Sequence, residues 1–224
     1  MAGKNYQSFT ERVVLVTNAA HGVGRAVSMQ LAMAGAYVVA HYEPHDASGA
    51  YIIEQLQEIG TLGRGAAGVV TDAAGARAVV GQVEAIYGRL DALVHVVPVM
   101  PDATTETAWD ETGETDWRKS CDDALGSAFF CAQAAFPLLR ARPSPSISNI
   151  MPEVRGLAGH TVRAGLVGLT QHLAVILAPR VRVNGVTSTS ATPADETARA
   201  ACYLLSSEAR HITGQILHVA KHEL

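Results

Sequence analysis

Short apolar runs alternate with longer stretches of helical spacing along nearly the whole chain. "RVVLVT" (12–17) reads as a buried strand and "GVGRAVSMQLAMAGA" as the helix after it. "YVVAHY" (37–42) is a second strand, "ASGAYIIEQLQEIG" a helix, "GAAGVV" a short third strand and "AGARAVVGQVEAIYGRL" a helix. "DALVHVVPVM" gives the fourth strand. "TDWRKSCDDALGSAFFCAQAAFPLLR" reads as one long helix that must end before Pro143, because the residue preceding a proline avoids helical φ/ψ. Thr115 is its expected N-cap, and Trp117 is expected to pack on the sheet edge. "SISNIM", "RVRVNGVT" and "GQILHVA" bring the strands to about seven. Strand-then-helix alternation of this kind predicts a parallel sheet with helices on both faces and right-handed crossovers.

"TVRAGLVGLTQHLAVILA" is apolar over much of its girth, and so needs cover on two sides. No linker, repeat or low-complexity stretch interrupts the pattern, so the 224 residues read as one domain, 1–224, with a core of about 10–220. The hydrophobic share of 48% against 17% charged supplies ample core. A net charge of −4 with scattered basic residues gives no footprint for nucleic acid or an anionic membrane. Cys121, Cys131 and Cys202 lack metal spacing and read as free thiols in a reducing compartment. The N-terminal stretch has no long apolar run, so no signal peptide is expected, and the chain is placed in the cytoplasm.

The turn "VTNAAHGVG" (16–24) joins the first strand to the first helix. Gly22 and Gly24 allow a tight turn and close approach of a pyrophosphate to a helix N-terminus. Asn18 stands where the first glycine would be; asparagine tolerates positive φ, but its side chain takes space near the phosphate position. The second strand ends "AHYEPHD", so Glu43 or Asp46 is placed to meet a ribose hydroxyl and is a poor host for a phosphate. NAD is therefore the expected cofactor, if one binds.

"VTNAAHGVGRAV", "YGRLDALVHVV", "RAGLVGLTQHLA", "VRVNGVT" and "HITGQILHV" together resemble the short-chain dehydrogenase/reductase family. The resemblance implies a Rossmann-like, doubly wound α/β sheet of seven parallel strands, hydride transfer between NAD(P) and an alcohol or carbonyl, and an oligomer. It also implies a Ser, a Tyr, a Lys and a relay Asn at the site. On this chain those positions fall on Pro152, Gly159, Arg163 and Asp123. The segment after the fourth strand reads His95-Val96-Val97-Pro98, and the Pro-Gly after the sixth reads Ser188-Thr189.

Glycine has no proton to give, and loss of general acid catalysis costs roughly 10²–10⁴ in rate. These departures lead to the expectation of an eroded nucleotide site and a protein inactive by itself. Its expected role is that of a non-catalytic structural or regulatory subunit, in a tetramer with an active relative. The alternatives are a nucleotide-independent enzyme resembling halohydrin dehalogenases, for which Arg163 and Asn18 fit the pattern, or a residual NAD(P)-dependent oxidoreductase. His160, Glu153 and His95 are the side chains weighed as substitute acids or bases.

Overall fold

The computed structural model describes residues 9–98, 112–151, 153–154 and 156–220. The strands are β1 (Val13–Val16), β2 (Tyr37–Tyr42), β3 (Arg64–Ala67), β4 (Ala92–Val96), β5 (Ser146–Met151), β6 (Arg182–Ser188) and β7 (Ile216–Val219). They form one all-parallel sheet in the order β3-β2-β1-β4-β5-β6-β7. The helices are α1 (Gly22–Met33), α2 (Ser48–Glu58), α3 (Ala73–Tyr87), α4 (Glu114–Cys121), α5 (Ser127–Leu139), α6 (Gly156–Ile176) and α7 (Ala194–Leu205).

Alternation along β1 decides which helices lie on which face. Val14 and Val16 pack with α1, α2 and α7, through Val27, Leu31, Ile52, Leu56 and Leu204. Val13 and Leu15 pack with α3, α5 and α6, through Val79, Val83, Leu139 and Leu173. Strands covered on both faces need no polar alternation, so the central ones read as continuous apolar runs. Each fully buried Leu, Ile or Val contributes about 1.5–3 kcal/mol of transfer free energy.

Strand limits follow the sequence closely, but the long middle helix does not. It starts at Gly113 without a side-chain cap rather than at Thr115. Trp117 remains 36% exposed on α4, so it does not pack away on the sheet edge. Residues Asp122–Gly126 form a π turn between α4 and α5, which lets the helix carry extra chain without breaking. Helix α6 begins at Gly156, ahead of the expected start, and buries Val162, Leu166 and Leu173 while leaving Val175 and Ile176 open.

The amino ends of the strands are tied by charge. The Asp91 carboxylate accepts from the Val13 N–H at 2.9 Å, from Arg89 at 2.9 and 2.8 Å, and from Arg142 at 2.8 Å. Burial works against its ionisation, but these donors win and hold the carboxyl below its usual range. Arg182 donates to Leu204, Leu205, Ser206, Ala209 and Ile212 carbonyls, and Arg12 to Leu205, so two guanidinium groups satisfy the carbonyls at the end of α7.

No helix among the described residues is long and apolar enough to cross a membrane. Cys131 and Cys202 are buried free thiols, both pushed up to about 12 by burial, and Cys121 is half-buried.

Asp91→Ala strands two guanidinium groups and the Val13 N–H, and is expected to lose about 2–3 kcal/mol in urea unfolding at pH 7. Because the folded carboxyl lies below its unfolded value of about 3.9, the gap to wild type closes as pH falls below that value.

Candidate functional site

In a doubly wound sheet the ligand crevice lies outside the carboxyl ends of the strands, where the strand order reverses. Here that point falls between β1 and β4. Thr17 and Asn18 leave β1 there. Asn18 has φ of +49°, so it occupies the left-handed turn that a glycine would otherwise provide. Its backbone N–H donates to His41 Nδ1 at 3.2 Å, and its side-chain amide donates to the Val96 carbonyl at 2.6 Å. The amide thus turns toward β4 instead of standing free in the phosphate space.

Gly24 is required by packing: a Cβ there would sit 2.1 Å from the Asn18 carbonyl oxygen. Gly22, at φ of +47°, faces open space, and a Cβ there would meet nothing within 4 Å. The backbone at the start of α1 therefore presents a bare cradle to the cleft.

That cleft has a volume of about 510 Å³ and is lined by residues of the first turn, the end of β2 and the end of β4. Glu43 and Asp46 both line it. Asp46 Oδ2 lies 2.8 Å from His21 Nε2, and Oδ1 accepts from the Ser48 N–H at 2.9 Å. Burial opposes ionisation of Asp46, but the Ser48 N–H and His21 hold the carboxyl below its ordinary value. A smaller pocket of about 140 Å³ shares Asn18, Glu43 and Pro98 with the cleft and adds Lys119, Asp123 and Ser127.

Beneath the cleft runs a chain of buried polar groups. The His41 Nε2–H donates to the Gly68 carbonyl at 3.1 Å, which leaves Nδ1 as the acceptor for Asn18. Burial, against that hydrogen bond, lowers the His41 pKa. His95 is fully buried between Thr17 Oγ1 at 3.2 Å from Nδ1 and Ser127 Oγ at 3.1 Å from Nε2. Ser127 gives its own proton to the Asp123 carbonyl, so His95 Nε2–H donates to Ser127 and Thr17 donates to Nδ1. Burial, and then the neighbouring His41, push the His95 pKa down to about 3.

Of the residues expected to carry chemistry, Asn18, Gly22 and Asp123 line these pockets, and Gly24 supports the turn behind them. Asp123 lies in the π turn and pairs with Lys119. Gly159 is buried on α6, where a Cβ would lie 2.8 Å from Val154 Cβ. Arg163 is half-buried one turn further on, and neither residue lines the two pockets. Pro152 lies outside the described residues. Glu153 Oε2 accepts from the Ser190 N–H at 2.6 Å, and His160 is exposed. Sequence reasoning missed the His21–Asp46 pair, Ser127 and Lys119, because nothing in residue spacing marks a contact between distant loops. His21 had one usable signal: it immediately precedes Gly22.

The sheet order and the glycine turn define a doubly wound, Rossmann-like α/β protein. The family model described as short chain dehydrogenase matches residues 12–201, and the chain belongs to that family. A 3beta-hydroxysteroid dehydrogenase of Mediterraneibacter gnavus is 30% identical over 193 residues, covering 83% of this chain and 66% of that protein, just under two thirds of its length. The 3-oxoacyl-[acyl-carrier-protein] reductase FabG of Escherichia coli is 29% identical over 245 residues, covering 95% and 97% of the two chains. The crystal structure of an Escherichia coli hydroxysteroid dehydrogenase matches with a TM-score of 0.86 at 20% identity, covering 96% of this chain and 98% of that one, which shows the shared fold.

These relatives correct the expectation of a non-catalytic subunit with an eroded nucleotide site. Proteins similar to this one over most of its length are named as oxidoreductases. The expectation weighed the missing Tyr and Lys but had no means of seeing that the first turn and the cleft persist.

Gly24→Ala drives a methyl into backbone and should lose about 3 kcal/mol of unfolding free energy. Gly22→Ala, strained only by its positive φ, should lose about 1 kcal/mol. For the buried imidazoles, the folded pKa values lie below the unfolded value of about 6.5, so the unfolded state binds more protons beneath that pH. Stability should be full above pH 6.5 and fall between pH 6.5 and 4.5, by up to about 1.4 kcal/mol per pH unit for each histidine. Urea unfolding of His95→Gln across that range should give a flatter slope.

Proposed function

We propose that this chain is an oxidoreductase acting on an alcohol or carbonyl, with NAD(H) held in the cleft between β1, β2 and β4. The observation that carries the reading is the open cradle in front of Gly22, at the start of α1 and on the cleft wall. The α1 N-terminus and its backbone N–H groups would hold the pyrophosphate. Glu43 and Asp46 favour a ribose hydroxyl over a phosphate. When bound, the dinucleotide supplies or accepts the hydride. An open nucleotide cleft supports this reading over a nucleotide-independent dehalogenase.

The chain's own task is to handle the proton, and here it departs from the family pattern. Gly159 carries no phenol, and Val154 fills the space beside it. His95 is bonded at both ring nitrogens and held neutral, and His160 stands in solvent. Glu153, half-buried just beyond β5 and accepting from the Ser190 N–H, would be the carboxylate that exchanges a proton with substrate.

Thermal unfolding with added cofactor tests the reading. NADH at a hundred times its dissociation constant adds about 2.7 kcal/mol. For a chain of this size that raises Tm by roughly 5–10 °C. No shift with millimolar NADH or NADPH would overturn it.

A further inference from the structure

The first turn of the cleft leans on a ring that lines neither pocket. His41 lies on β2 with no exposed surface. Its two nitrogens do different work: Nε2–H donates to the Gly68 carbonyl beyond β3 at 3.1 Å, and Nδ1 accepts the Asn18 N–H at 3.2 Å. The His41 carbonyl accepts the next amide, that of Ala19, at 2.9 Å. One residue of β2 therefore receives two successive N–H groups of the turn in which Asn18 holds φ of +49°. The turn in turn sets the start of α1, because Gly24 packs so closely on the Asn18 carbonyl that a Cβ would lie 2.1 Å from its oxygen. A shift of Asn18 is passed directly to the helix N-terminus at Gly22, where the open cradle stands.

No carboxylate stands by to receive a charge on this ring. His41 shares the face of Val39, toward α3 and away from α2 with Glu54 and Glu58. On β4, His95 is near enough to feel a charge on His41 and is itself held neutral. Asp72 at the start of α3 is exposed and holds the Ala74 and Gly75 N–H groups. Lys119 on α4 and Asp123 in the π turn pair with each other, as do His21 and Asp46 on the rim. Glu43 and Arg64 are exposed. A second proton can enter the ring only at Nδ1, because Nε2 already carries one. It converts the acceptor of the Asn18 N–H into a donor and leaves two N–H groups facing each other.

Resting on the nucleotide reading above, we propose that His41 is a positioning residue for the nucleotide, acting through Asn18, and that a proton on its Nδ1 and a nucleotide in the cleft exclude each other. Burial lowers the His41 pKa from the ordinary 6.5, so the turn is intact above that pH and is released as the ring charges beneath it. A ligand that binds only the neutral form loses up to about tenfold in affinity per pH unit below the ring's pKa. The exposed rim histidines, His21 and His45, act with the opposite sign, because charge on them attracts a pyrophosphate.

Calorimetric titration with NAD tests this on wild type, His41→Asn and His41→Gln, from about pH 7.5 down to the last pH at which each free protein keeps its folded circular dichroism. His41→Asn places a carbonyl oxygen near the Nδ1 position and has no proton to gain; His41→Gln reaches toward Gly68 and offers Asn18 nothing. In parallel, 15N NMR without nucleotide follows the Asn18 amide and the His41 ring nitrogens. Wild-type affinity is expected to fall at least about threefold toward acid, with the Asn18 amide moving as the ring titrates. His41→Asn should bind NAD within about threefold of wild type at neutral pH and lose the fall, whereas His41→Gln should bind at least about tenfold more weakly throughout. Wild-type affinity that holds or rises toward acid, a fall that persists in His41→Asn, or equal loss in both variants overturns the inference while the nucleotide reading stands. An Asn18 amide that ignores the ring titration overturns it as well, and that arm with the wild-type slope decides the matter if a variant does not fold. If NAD does not bind wild type at any pH, both readings fall.

Discussion

The left-handed turn at Asn18 is the constraint on which the carboxyl face of this sheet depends. Positive φ in a non-glycine residue is costly, and persists only when its surroundings fix it. Three bonds do so here. The Asn18 N–H is bound by the His41 ring, the Ala19 N–H by the His41 carbonyl, and the Asn18 amide by the Val96 carbonyl. The turn is thereby tied to β2 on one side of β1 and to β4 on the other, at the point where the strand order reverses. His41 performs this only as the tautomer with hydrogen on Nε2, which the Gly68 carbonyl enforces. A glycine would need no such support, and substituting asparagine shifts the burden onto a buried histidine.

The two ends of the sheet solve opposite electrostatic problems. At the amino end, the Asp91 carboxylate pairs with Arg89 and Arg142, while Arg12 and Arg182 donate to carbonyls at the end of α7. At the carboxyl end, His41 and His95 are sealed from water and kept neutral, with every ring nitrogen bonded. The cleft wall there carries Glu43, Asp46 and the Lys119–Asp123 pair. Neutral polar groups beneath and ionised groups around the rim leave the floor of the crevice without a competing charge.

Much of the fold was legible because it is written in periods that burial enforces. β2 matches its largely apolar run, as a strand covered on both faces tends to, and β5 keeps its expected bounds although Ser146, Ser148 and Asn149 are buried in it. The π turn at Asp122–Gly126 left no such mark, because one extra residue in a helix changes bond register and not composition. The Thr115 cap failed for a related reason: Ser/Thr capping is a preference, and the backbone at Gly113 already makes the turn. At the site, Gly22, Gly24 and Asn18 could be read from the first turn alone. His21–Asp46 and the Thr17–His95–Ser127 chain could not, since each joins elements brought near only by the sheet order. The functional reading failed at this step. A missing tyrosine is visible in a sequence, while an open cleft is visible only in a fold.

The position where a phenol would stand is closed by packing as well as by the lack of a side chain. The β5–α6 connection is short, and it lays Val154 against Gly159 so closely that even a methyl group would intrude. A ring there would need Val154 to move. On the proposed reading, the proton exchanged with substrate would come from the strand-end side of the crevice and not from Gly159. Glu153 follows β5, and its Oε2 accepts from the Ser190 N–H in the loop after β6. On that reading, the end of β5 is where the proton chemistry would depart from the family pattern, beside a cleft that could still hold the nucleotide.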